Sequence, residues 1–300
     1  MTALVLVGCS GSTRLHEFKT VASLGADYTR AVEGALVHTG QLAIRANSLE
    51  MLENRELTPI SRGELERQDA ALANLVSELA LLRRQAVALH DYFAALAALA
   101  GSDAPSQYAA GLNESASSLA AVASSIGQGS GRFAEVGGRS MAAAAVGQVA
   151  IERRRARELE EELRNRHAVV EEVLELQGKL LMTLVEAAEG HQKQVARSTY
   201  EGRIAAPFVD STEPMACPPL WLADREAALL ATPVRARLDL AIEATRTLRD
   251  AWKKLVSGEL GPLDLPLLSN AVRDALDGPV GIPPSPPPSY WHCPPSPPSP

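Results

Sequence analysis

ELERQDAALANLVSELALLRRQAVALHDYFAALAALA, residues Glu64 to Ala100, decides the fold. Leu65, Leu72, Leu75, Val76, Leu79, Leu82, Ala86, Leu89, Phe93 and Leu96 recur at steps of three and four. That spacing is an a/d seam held over about four heptads, the mark of a helix packed along its length on other helices. Thr58-Pro59 precedes it, and Ser61 followed by Glu64 three residues on predicts a capping box. Gly101 and Pro105 supply the stop signals.

Three further segments carry the same period. In the stretch from Phe18 to Leu57 the stripe is Val21, Leu24, Tyr28, Ala31, Ala35, Leu42, Leu49 and Leu52. Gly25, Gly34 and Gly40 interrupt it, and small residues on a helix permit close approach of a neighbour. From Met141 to Arg203 the seam is Leu159, Leu163, Arg166, Val170, Val173, Gln177, Leu180, Leu184, Ala187 and His191. Arg153, Arg154, Arg155 and Arg157 stand directly before Glu158, Glu160, Glu161 and Glu162, which reads as a solvated ion-pair face rather than a basic patch. Pro233 to Ser257 forms the last strong helix, with Thr232 and Pro233 as N-cap and first residue and Gly258 as the stop. Its stripe is Val234, Leu238, Ile242, Thr245, Leu248, Trp252 and Leu255. Tyr108, Leu112, Leu119, Val122 and Ile126 indicate one more helix before the glycine-rich residues Gly127 to Gly138.

No stretch alternates with period two for long enough to make a strand. The expected fold is all-α: an elongated antiparallel bundle of long helices with heptad-like seams, over residues 13–278. Ala206 to Leu222, with Pro207, Pro214, Pro218 and Pro219, is expected to be an irregular crossover that packs on the bundle through Phe208 and Trp221. Residues 279–300 are so rich in Pro and Ser that a disordered tail in extended polyproline conformation is expected. A docking peptide or a spacer are its functional alternatives.

Composition agrees. The chain has 300 residues, 46% hydrophobic and only 4% aromatic, which favours closely packed helices over a β-sandwich. A net charge of −7 without a concentrated basic face argues against nucleic acid. No run reaches the ~18–20 apolar residues that span a bilayer.

The first nine residues, Met1 to Cys9, form a short apolar run ending in Leu6-Val7-Gly8-Cys9. This resembles the lipobox of bacterial lipoproteins. The resemblance covers residues 1–12 only, as signal and tether. It implies recognition through Leu6, Val7 and Gly8, acylation of Cys9, and attachment to the membrane of the cell envelope through that residue. Ser10 in place of Asp implies the outer membrane, facing the periplasm. No Lys or Arg precedes Arg14 and the apolar core is short, so a start assigned too late or a truncation is expected. With Cys9 acylated, Cys217 and Cys293 remain, and both a disulfide in an oxidising compartment and two separate thiols fit that pair.

The six histidines are scattered, and His-Glu-x-x-His, Glu-x-x-His and Gly-x-Ser-x-Gly spacings are absent. The glycine-rich residues follow no strand and lack the Gly-Lys-Ser/Thr ending of a phosphate loop. The expectation is therefore no metal, no cofactor and no enzyme. It is a scaffold that meets a protein partner, or itself, through helix faces. A ligand-binding or sensory bundle is the alternative.

Overall fold

The computed structural model describes residues 8–54, 61–102, 106–127, 155–209, 218–229 and 233–278. Among them all regular structure is helical: α1 (Gly8–Asn54), α2 (Arg62–Gly101), α3 (Ser106–Gly127), α4 (Arg155–Thr199), a π-helical turn (Tyr200–Ala205), α5 (Ala206–Val209), α6 (Pro218–Leu229), α7 (Val234–Ser257) and α8 (Asp264–Asp277). The all-α reading holds. At 1.5 Å per residue α1 spans ~70 Å.

Side-chain pairs give the directions. Glu33 meets Arg83, Thr29 meets His90, and Gly25 meets Phe93, so α1 and α2 are antiparallel. Glu189 pairs with Arg235 and Glu171 with Arg249, so α4 and α7 are antiparallel too. By contrast, Arg14–Glu160 and Tyr28–Gln177 set α1 and α4 parallel. Parallel neighbours need intervening chain to bring the strand of sequence back, and α2 and α3 lie between these two.

The seams of α4, of α7 and of the second half of α2 point inward as expected. On α1 only Val21, Tyr28 and Ala31 of the expected stripe are buried, and Leu24, Ala35, Leu42 and Leu49 are half-buried. Phe18, Val32 and Leu36, which the stripe left out, complete the core. Phe18, Val21, Tyr28, Val32 and Leu36 of α1 are buried against Leu82, Leu89, Phe93 and Leu96 of α2 and against Leu238, Leu248, Trp252 and Leu255 of α7. Tyr92 and Phe93 each meet Trp252 edge to face and each other at a tilt, with centroids 5.7–6.4 Å apart, which concentrates scarce aromatic surface where α2 meets α7. A Cβ on Gly25 would lie 2.7–2.9 Å from the Phe93 ring, so the α1 backbone rests on that ring. Gly34 has nothing within 4 Å, and its freedom is not used for packing.

Helix ends follow local chemistry, with corrections. Glu64 N–H donates to Ser61 Oγ at 3.2 Å, which is one half of the expected capping box; the Glu64 carboxylate instead accepts from Arg67 and Gln68. Gly101 is the last helical residue of α2 rather than a left-handed cap. Ser102 N–H donates to Leu99 O instead. Pro233 is the extended N-cap of α7, not its first residue. Proline offers no side-chain cap, and the Val234 N–H, which has no acceptor within its own helix, donates to Gln192 Oε1 of α4 at 2.8 Å. Gly258 is left-handed at φ 78°, as expected of a stop. α1 begins at Gly8, ten residues before Phe18, where the expected helical stretch starts.

Two helices were not foreseen. α6 opens on Pro218-Pro219 and α8 carries Pro266 in its first turn, where a missing N–H is no loss. The expected irregular crossover over Ala206 to Leu222 is thus partly helical, because prolines there start a helix instead of breaking one. Trp221 Nε1–H donates to Ile204 O at 3.1 Å, which ties α6 to the π-helical turn. α8 packs on α1 and α7 through buried Leu268 and Val272.

Candidate functional site

Two features of the bundle are candidates, one buried and one exposed. The buried one begins with a correction. Glu162, read as part of a solvated acidic face, is inside, only 1% exposed. It lies three residues after Leu159 and one before Leu163, on the seam itself, and its Oε1 is 2.6 Å from Arg166 Nε, one turn on. Arg166 Nη2 donates to Asn113 Oδ1 of α3 at 2.6 Å. Burial pushes the Glu162 carboxyl above the usual carboxylate range, and Arg166 opposes that shift. Tyr92 of α2 is held above the ordinary phenol range by its own burial and by the nearby Glu162 charge. Among the described residues, Tyr92 Oη, Arg166 Nη1 and both amide atoms of Gln85 have no hydrogen-bond partner. Gln85 and Tyr92 are seven residues apart on one face of α2.

A second polar group, across α1, α4 and α7, is better satisfied. Tyr28 Oη lies 2.9 Å from Gln177 Oε1 and 2.6 Å from Thr245 Oγ1, which in turn lies 2.7 Å from Ala241 O. Two hydroxyl protons cannot serve three contacts. Turning the Gln177 amide completes the chain, with Nε2–H donating to Tyr28, Tyr28 to Thr245, and Thr245 to the carbonyl. This chain fixes the register of three helices. Outside it, Arg249 reaches Glu171 and Glu175 at 3.2 and 2.6 Å, and Lys253 reaches Glu171 at 2.8 Å. These hydrogen bonds hold both carboxyls below their usual range, the Lys253 bond leading for Glu171 and the Lys179 bond for Glu175. They seal the α4–α7 seam.

The exposed candidate is one face of α2. Leu65, Val76 and Val87 are 38%, 40% and 44% exposed, although the seam named two of them as core. Burial in α2 begins only at Leu79. Eleven residues make three turns and about 20°, so these three side chains share a face. Alongside Val87 runs an open groove of about 590 Å³, with Ala80, Val87 and Ala88 below and Glu33, Arg83, Arg84 and Asp91 at its rim. The eleven-residue spacing was visible in the sequence, but the three- and four-residue steps hid it.

The sequence-derived sites fall unevenly on this frame. Leu6 and Val7 lie outside the described residues, as do Cys217, Cys293, the residues after Gly127 up to Gly138, and the tail 279–300. Gly8 and Cys9 are the first two residues of α1. His38, His90 and His191 are all half-buried, inside α1, α2 and α4 respectively, where each helix passes from core to surface. Burial and the nearby Arg237 hold His38 below the ordinary histidine range. Among the described residues no cluster of three His, Cys, Asp or Glu side chains could hold a metal ion, and no helix is long and apolar enough to cross a membrane. No family model, curated protein or solved structure matches the chain.

Proposed function

We propose that the protein is a lipid-anchored component of a bacterial cell envelope, held by acylated Cys9 at the outer membrane, whose helical bundle is a non-enzymatic scaffold for protein contacts. The observation that carries the scaffold reading is the α2 face, where Leu65, Val76 and Val87 stay in solvent beside an open groove. Apolar side chains aligned over ~33 Å of helix are what a partner helix covers. The anchor reading is supported by Leu6-Val7-Gly8-Cys9 followed by Ser10.

Anchoring is tested with Cys9→Ser, expressed behind a complete signal, by fractionation and intact-mass measurement. The unsubstituted chain should be cleaved before Cys9, carry the mass of its acyl chains and sediment with membranes, and the variant should do neither. Identical fractionation without acyl mass in either protein overturns the anchor. The alternative, a ligand-binding or sensory bundle, draws on one observation: the unpartnered polar atoms of Gln85, Tyr92 and Arg166. A polar ligand satisfying them would raise the melting temperature with its concentration.

A further inference from the structure

The exposed face of α2 has an internal symmetry. Leu65 and Val87 each lie eleven residues from Val76, Asp69 and Arg83 each seven, and Leu72 and Ala80 each four. At 100° per residue all seven fall within about 40° of Val76. The row is therefore apolar at its centre and both ends, with an acid on one side and a base on the other.

We infer that this face binds the same face of a second copy, antiparallel, about a two-fold axis through Val76. The inference rests on the scaffold reading and adds the partner and its register. A two-fold interface uses one patch twice, so the patch must complement itself. Antiparallel packing does this for every position in the row. Val76 meets its own equivalent, Leu72 is level with the second copy's Ala80, and Leu65 is level with the second copy's Val87. Asp69 is level with the second copy's Arg83, and the contact occurs twice.

The groove gives Leu65 somewhere to go. At the level of Val87 it lies open, with Ala80 and Ala88 small enough to leave room, and its rim carries Arg83 and Arg84. The second copy brings Leu65 to this level, with Glu66 and Asp69 close by. Arg83 already donates from Nη2 to Glu33 at 2.8 Å, and a guanidinium has further N–H groups for a second carboxylate. A parallel copy is disfavoured, because it sets Asp69 level with Asp69 and Arg83 level with Arg83.

Light scattering on the full chain across a concentration series tests the inference. A monomer–dimer equilibrium is expected. Asp69→Arg and Arg83→Glu should each weaken association about tenfold, and the two together should restore it to within about threefold. The register has its own readout. Under mild oxidation Val76→Cys should link to itself, and Asp69→Cys should link to Arg83→Cys but not to itself. A chain that stays monomeric to ~200 µM, or a double variant as weak as the sum of the singles, overturns the inference. If the chain is monomeric while a photocrosslinker at Val76 captures a different protein in intact cells, the second-copy inference fails and the scaffold reading stands. If it captures nothing at all, both fail.

Discussion

The two halves of α2 share one helix and one heptad pattern, yet they live in different surroundings. From Leu79 to Ala100 the seam is enclosed by α1, α3 and α4 and by Trp252 of α7, and Leu89, Tyr92, Phe93 and Leu96 are fully buried. From Arg62 to Glu78 no residue is buried, and Leu65 and Val76 face solvent. Periodicity states which side of a helix is apolar. It does not state how many neighbours will be there to cover it. Where cover is missing, the same pattern becomes a surface.

The largest expected contrast comes from cutting one leucine in each half. Leu89→Ala removes a side chain with no exposed surface and should cost about 2–5 kcal/mol. Leu65→Ala should change monomer stability by less than about 0.5 kcal/mol, while weakening association. Chemical denaturation of both variants checks this, and equal losses would mean that the N-terminal half of α2 is as enclosed as the other.

A smaller contrast lies across the α1–α2 contact. Gly25→Ala drives a methyl into the Phe93 ring and should destabilise by about 1–3 kcal/mol. Gly34→Ala meets nothing within 4 Å and should stabilise by up to about 1 kcal/mol, since alanine is the better helix former. Melting temperatures should therefore move in opposite directions for one chemical change. The same direction for both would place the close approach elsewhere.

The smallest effect concerns the free end of α2. Ser61→Ala removes the acceptor of the Glu64 N–H and should cost about 1 kcal/mol of local helix stability. Hydrogen exchange should show it as faster opening over residues 62–78, with amides of 79–100 unchanged. Loss of protection through both halves would show that α2 opens as one unit.

The helical class, the Ser61 cap, the Gly258 stop and the inward side of α4 were legible in the sequence, because each is set by residues within a few positions of one another. Polar members of the α4 seam, Arg166 and Gln177, were placed on it by spacing alone, and both are buried. Glu162 was misread because its charge outweighed its position. Only Asn113, Arg166 and Tyr92, brought from three helices, show where it sits. α6 was missed because Pro218 and Pro219 were taken as breakers where they open a helix, and α8, with Pro266 in its first turn, follows the Gly258 stop in a stretch too short to show a long seam. The cap on Val234 was beyond reach, since its acceptor belongs to Gln192, 42 residues away. Above all, sequence determined which residues of α2 are apolar, while the tertiary structure alone decided which of them remain uncovered. Burial depends on how many neighbours arrive at a given level of the helix, and that number is set by where the other chains of helix begin and end.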